Sequence, residues 1–469
     1  MGSGRSARAA VARGFGWFTV LVVALLGLAA FFLARPLLDA APPYRPRPEG
    51  SPFAYWYLEA AAFVPYWLAL AWPRTARLPA TGVVLGGAAV LYLLLIPAPA
   101  QQSQDVYQYL VYGKMAAAGI NPYTTAPAVT GDPWLAFGLW DDAPTVYGPL
   151  WTLLSAGAVR VAEGSLLGAF LTVKSVTAAL AVATAALLAR STSGTEGRAA
   201  NVAAFAFAYN PLVVLSVGLG AHADVAVAAA VAGAVLAERR RRDVVATVLV
   251  TAAALIKVYA AVALIAWLIA LAWRRGAGRA MGHAAVAAAA LITAYAPFWA
   301  GAATLSGISR VRGLASASLA GTIIRAITGL PNDAAAGAST AGSVVRVLGS
   351  VVLAAAVLMV ARSPTTAPHP WRAAALLFGV YVLVTPWYLP WHLLGGLALA
   401  AAVSDDRVSW ALWVFAGTSL IVASGATLLP AGLAVIGLTV QTALRYGPPV
   451  AAYAAWPKRP SECKVPQLP

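Results

Sequence analysis

Asp105 is the residue best placed in this chain to handle a proton. It lies in Ser103-Gln104-Asp105-Val106-Tyr107-Gln108-Tyr109-Leu110-Val111-Tyr112-Gly113, just beyond an apolar run. If that stretch is helical, Asp105, Tyr109 and Tyr112 fall at i, i+4 and i+7 and share one face. A carboxylate between tyrosine rings suits a sugar hydroxyl: the rings stack on the sugar, and the carboxylate accepts the hydroxyl proton as a general base. An N-cap or surface aspartate is the competing reading.

Positive charge is the second requirement of such chemistry. Lys257, in Leu255-Ile256-Lys257, interrupts a stretch of about 30 nearly all apolar residues between Arg242 and Arg274. Lysine meets a phosphate as a point charge, and Arg310 and Arg312 would meet it bidentately. The competing readings are a lysine that snorkels to water and arginines that are plain loop charges. His222 and Asp224, in Gly220-Ala221-His222-Ala223-Asp224, have the His-x-Asp spacing of two metal ligands. No third ligand stands at a matching spacing, so a hydrogen-bonded pair that touches substrate is expected, without metal or cofactor. Trp387, Tyr388 and His392, in Pro386-Trp387-Tyr388-Leu389-Pro390-Trp391-His392, read either as an interfacial aromatic belt or as the lining of a substrate channel.

These residues need a scaffold, and composition defines it. Of 469 residues, 61% are hydrophobic and only 10% charged, with mean hydropathy +0.77, which excludes a water-soluble globular protein. The 41 Gly and 31 Pro fall between or inside Ala/Val/Leu runs, as helix punctuation. The class is an all-α polytopic membrane protein. The 32 basic residues against 16 acidic ones give a net charge of +16. Clusters such as Arg239 to Arg242 sit between apolar runs, which fits cytoplasmic loops under the positive-inside rule better than nucleic-acid binding. Cys463 is the only cysteine, so an internal disulfide and a Cys-based zinc site are excluded.

Spans need about 20 apolar residues, and basic loops belong inside. Walking the chain on those terms makes Phe15 to Leu33 a retained first helix. The polar stretch from Gln101 to Tyr147 is then external, and Leu150 to Val161 is a re-entrant or surface-lying helix. The Arg242 to Arg274 stretch is basic at both ends, so it must turn back near Lys257. Ala200 to Arg239 is likewise a hairpin, with its external tip at Gly218 to Asp224. The count is about 13 or 14 spans in a single polytopic domain, 1–469. Within it, 1–98 are N-terminal helices, 99–149 an external catalytic loop, 150–403 a helical core, and 404–469 C-terminal helices with a cytoplasmic tail. Asp105, His222, Asp224, Lys257, the loop arginines and His392 all come out at the external level. Ionisable groups at a membrane edge are costly, so their convergence implies a wet cavity.

The motif order is Asp105-Val106-Tyr107-Gln108-Tyr109 with Gly113, Asn121-Pro122-Tyr123, Tyr147-Gly148-Pro149-Leu150-Trp151, Asn210-Pro211-Leu212, Gly220 to Asp224, Leu255-Ile256-Lys257, and Pro386-Trp387-Tyr388 with Trp391. In that order, from about residue 80 to 400, the chain resembles the actinobacterial polyprenol-phosphate-mannose-dependent α-1,6-mannosyltransferases of the GT-C superfamily, which elongate lipomannan. The resemblance implies an inverting transfer from a polyprenyl-phosphate-sugar donor to a lipid-linked glycan acceptor, at the external face of the plasma membrane. It assigns the general base to Asp105 and phosphate binding to Lys257. Many relatives carry Asn before the aspartate of the hairpin tip, where this chain has Ala223. A transporter or flippase of a lipid-linked sugar is the alternative, although no internal repeat of the kind transporters carry is visible. A non-catalytic envelope scaffold is a further rival, and it would have no use for Asp105.

Overall fold

A computed structural model describes residues 54–71, 78–100, 103–138, 140–192, 198–316, 318–329, 333–403, 407–423 and 434–455. The expected helix Phe15 to Leu33 and the Cys463 tail lie outside the described residues. The chain enters through α1 (Ala54–Ala71) and α2 (Thr81–Leu95), then runs through a short helix α3 (Asp105–Ala117), two 3-10 turns and α4 (Pro149–Val161). The core follows with α5 (Leu166–Thr192), α6 (Arg198–Ala208), α7 (Pro211–Gly218), α8 (Asp224–Arg239), α9 (Asp243–Ile256), α10 (Ala261–Arg275) and α11 (Ala277–Tyr295). After α12 (Ser306–Arg312), α13 (Leu319–Thr328) and α14 (Asp333–Ala338) come α15 (Thr340–Arg362), α16 (Pro370–Val384), α17 (Leu394–Val403), α18 (Arg407–Ala423) and α19 (Ala434–Ala455). The protein is all-α, and no β-strand occurs among the described residues.

Against the expected 13 or 14 spans, four helical segments among the described residues are long and apolar enough to cross a membrane alone: Leu166–Thr192, Val258–Arg275, Ala277–Phe298 and Thr340–Arg362. The bent pair α6 and α7 makes a fifth if it counts as one span. Its 48° bend has a local cause. Asn210 accepts a hydrogen bond from Leu212 N at 3.0 Å, capping a new helix that starts at Pro211. Other apolar helices, such as α2, α9 and α16, have only 14 or 15 residues, about 22 Å at 1.5 Å per residue. At 13 residues, α4 is also shorter than a span, as expected of a re-entrant or surface piece.

The turn at Lys257 is borne out. Lys257 has an extended backbone, φ −144° and ψ 127°, between α9 and α10. Beyond it α10 runs back along α9: Trp267 Nε1 donates to Thr247 Oγ1 at 2.9 Å, and Arg275 meets Asp243 at 3.4 Å where the two arms end. The same end of the bundle collects more arginine contacts. Arg239 donates to the carbonyls of Ser191 and Ala402, and Arg274 pairs with Glu238 at 2.6 Å. The C-termini of α5, α8, α10 and α17 therefore share one level with the N-terminus of α9. The N-termini of α5, α8 and α17 and the Lys257 turn therefore point toward the opposite end, at depths set by helices of 27, 16 and 10 residues.

Alanine makes this packing close. Ala203, Ala228, Ala232, Ala246, Ala253 and Ala400 are fully buried, and small side chains let helix backbones approach where lipid provides no hydrophobic drive between them. By contrast, α15 exposes Val347, Leu348, Val351, Val352 and Met359 along its length, an apolar surface suited to lipid tails.

Candidate functional site

At the end away from the Arg239, Arg274 and Arg275 contacts lies a cavity of about 620 Å³. Asp105, Gln108, Tyr147, Lys257 and His392 line its polar side, and Val311, Leu314, Leu353 and Val384 its apolar side. Asp105 opens α3, where the exposed N–H groups of a helix start favour a carboxylate, and its own N–H donates to Ser103 Oγ at 3.1 Å. The carboxylate is mostly enclosed, 13% exposed, with Oδ2 at 3.5 Å from His222 Nδ1. That contact lies at the outer limit of hydrogen bonding and lacks good hydrogen-bond geometry, so it acts mainly as an electrostatic contact. Burial raises the carboxyl's pKa, but His222, Lys257 and His392 outweigh it and hold Asp105 below the ordinary carboxylate value.

Lys257 comes to the same cavity wall from the break between α9 and α10. Its Nζ donates to Asp224 Oδ2 at 2.8 Å, and Tyr259 donates to the other carboxylate oxygen. Asp224 is fully buried behind them, so its charge is matched by an ammonium and satisfied by a phenol. The break is pinned from outside: Gly148 N donates to Ile256 O at 2.9 Å. Nothing larger than glycine fits at 148, because a β-carbon there would collide with the Leu255 carbonyl. The Tyr147-Gly148-Pro149 motif thus has a physical content: it holds the lysine turn against α4.

The loop between α3 and α4 is fastened over the cavity. Gln108 donates through Nε2 to Trp140 O at 3.1 Å and accepts from Trp140 N at 3.0 Å. Tyr112 donates to Ala143 O at 2.7 Å, and Lys114 pairs with Asp132 at 2.6 Å. Asn121 donates to Phe298 O at 2.8 Å, which explains the Asn121-Pro122-Tyr123 motif as an anchor.

The expected site residues therefore separate into two layers. Asp105, Tyr112, Lys257, Arg310, Trp387 and His392 line the cavity. Tyr109, His222, Asp224 and Tyr388 are buried and stand behind that lining. Tyr109 accepts from Ala223 N at 3.3 Å and meets Tyr147 edge to face at 4.6 Å. Tyr388 packs against Phe415 and lies under the Arg445 guanidinium. The expected His222–Asp224 hydrogen bond is not made: His222 faces Asp105, while Asp224 faces Lys257 and Tyr259. Arg310 pairs with Asp142 at the rim, and the Arg312 side chain lies outside the described residues.

Four contributors were not singled out for the site from sequence. Gln108 lies three residues after Asp105 on the same helix, a spacing that signals a shared face. Trp140, Tyr259 and Arg346 also line the cavity. Tyr259 sits two residues past Lys257, and Arg346 near the start of α15, with no local pattern to mark either.

Fold and site together define an all-α polytopic membrane protein whose charged, aromatic-walled cavity opens at one end of the bundle. Residues 12–275, more than half of the chain, match the family described as alpha-(1->6)-mannopyranosyltransferase, N-terminal domain. The chain belongs to that family, and its indicated activity is α-1,6-mannosyl transfer. That match takes in Asp105, His222, Asp224 and Lys257. No curated protein matches the chain.

Proposed function

We propose that the protein transfers mannose, with inversion, from a polyprenyl-phosphate donor to a hydroxyl of a lipid-linked glycan at the external side of the membrane. One observation carries this reading: a carboxylate, Asp105, and an ammonium, Lys257, face the same cavity. The acceptor oxygen attacks the anomeric carbon while its proton passes to Asp105. The bond from that carbon to the phosphate oxygen breaks, and its electron pair leaves with the phosphate. Lys257 spends one of its three N–H donors on Asp224 and keeps others for that phosphate. The Val311, Leu314, Leu353 and Val384 side of the cavity suits the prenyl chain. The external assignment rests on the Arg239 to Arg242 and Arg274 to Arg275 clusters at the far end, which belong inside by the positive-inside rule. Lipid attachment of the donor follows from that side, where nucleotide sugars are lacking.

The test uses purified protein in lipid nanodiscs with polyprenyl-phosphate-mannose and an α-mannoside acceptor. Asp105→Asn should lose about 10²- to 10⁴-fold in kcat while still binding donor, the range of a general base. Lys257→Met should raise the donor KM and lower kcat. Full transfer by folded Asp105→Asn would refute the proposal, and donor scrambling between leaflets by that variant in sealed proteoliposomes would favour a flippase.

A further inference from the structure

His222 is fully buried, and neither ring nitrogen has a hydrogen-bond partner. A buried polar group in that state needs a reason, since nearly all such groups are paired. Its surroundings are built for it. Trp391 stacks on the ring, with centroids 3.9 Å apart and planes at 14°. The Nε2 edge lies over Gly220, where a β-carbon would come within 2.6 Å of Nε2. The chain reaches this position through Ala221, whose φ of 49° is in the left-handed region that non-glycine residues rarely occupy. Lys174 holds the end of the preceding helix by donating to Gly218 O, and His222 N donates to Ser216 O at 3.1 Å. All of this holds Nδ1 at 3.5 Å from Asp105 Oδ2.

We infer that His222 is the positioning residue for the base: with its proton on Nδ1 it orients and stabilises the Asp105 carboxylate for the acceptor hydroxyl, without touching substrate. The inference rests on the reading of Asp105 as the base. Catalytic hydrogen bonds are often long in the absence of substrate and tighten in the reacting complex, so the 3.5 Å contact shortens when the acceptor arrives. The groups whose charge acts on Asp105 beside His222 are Lys257 and His392. Asp224, at the start of α8, is tied to Lys257. Burial alone raises the Asp105 pKa, and His222 heads the groups that lower it. Without the imidazole, Asp105 titrates higher, and the acidic limb of kcat moves to higher pH.

The experiment measures kcat, donor KM and the pH profile in nanodiscs for His222→Phe, which keeps a ring on Trp391 without nitrogens, and for His222→Asn, whose amide N–H stands near the Nδ1 position. The Phe variant should lose about 10²-fold in kcat with little change in KM, and its acidic limb should move to higher pH. The Asn variant should recover at least about tenfold of that loss and return the limb toward its original place. If the Phe variant does not fold, His222→Met takes its place with the same expectation. An unchanged kcat in the apolar variant, a loss with an unmoved limb, or no recovery in the Asn variant overturns the inference. Full activity in Asp105→Asn sinks the base assignment itself. An inactive Asp105→Asn beside a fully active His222→Phe sinks only the role of the histidine.

Discussion

The Asp224–Lys257 pair shows how a single residue can serve two ends in this site. A buried carboxylate without a partner is costly, whereas replacing both partners of a buried pair together is often neutral. Lys257 therefore neutralises Asp224 as well as facing the cavity. Lys257→Met strands a buried charge and should lower stability by about 3–5 kcal/mol. Asp224→Asn should cost less, because Lys257 still opens on the cavity and the amide can accept from Tyr259. The double variant should be more stable than Lys257→Met alone and yet remain poor at transfer. Chemical unfolding in detergent, run beside the transfer assay, checks this; stabilities that simply add would mean that the two charges are not coupled.

Among the elements, the Lys257 turn was readable in the sequence because charge at both ends of an apolar stretch forbade a single crossing. The Gly218 to Asp224 tip was readable for the same reason. What holds the turn was not readable, since the Gly148 to Ile256 hydrogen bond joins residues more than a hundred positions apart. Nor did the spacing of Gly220 to Asp224 tell which way each side chain faces; the left-handed Ala221 decides that, sending His222 toward Asp105 rather than Asp224. Asp105, Tyr109 and Tyr112 do fall in one helix, but Tyr109 turns from the cavity toward the tip and Gln108 takes its place on the lining. Gly148→Ala puts a methyl group into the Leu255 carbonyl and must shift the turn. Overpacking of this kind costs about 1–3 kcal/mol. The variant should show a lower unfolding midpoint and a rise in donor KM as Lys257 is displaced. An unchanged KM would detach the turn from donor binding.

For the molecule as a whole, the polarity of the bundle decides which chemistry is open to it. Contacts of Arg239, Arg274 and Arg275 close one end, and the cavity, with Arg310 at its rim, opens at the other. If the Arg239 and Arg274 end is cytoplasmic, the donor must be lipid-borne, and the exposed apolar face of α15 beside the cavity gives its chain a place to lie. If the orientation were reversed, nucleotide sugars would reach Asp105 and a prenyl donor would lose its rationale. The single native cysteine makes the question accessible, since Cys463→Ser leaves a cysteine-free background. In that background Asp142→Cys sits at the exposed rim of the cavity, and Arg241→Cys sits in the exposed turn between α8 and α9. A membrane-impermeant maleimide should label position 142 in intact cells and position 241 only after permeabilisation. The opposite pattern would place the cavity in the cytoplasm and remove the reason for a lipid-linked donor, even if Asp105 proved to be the base.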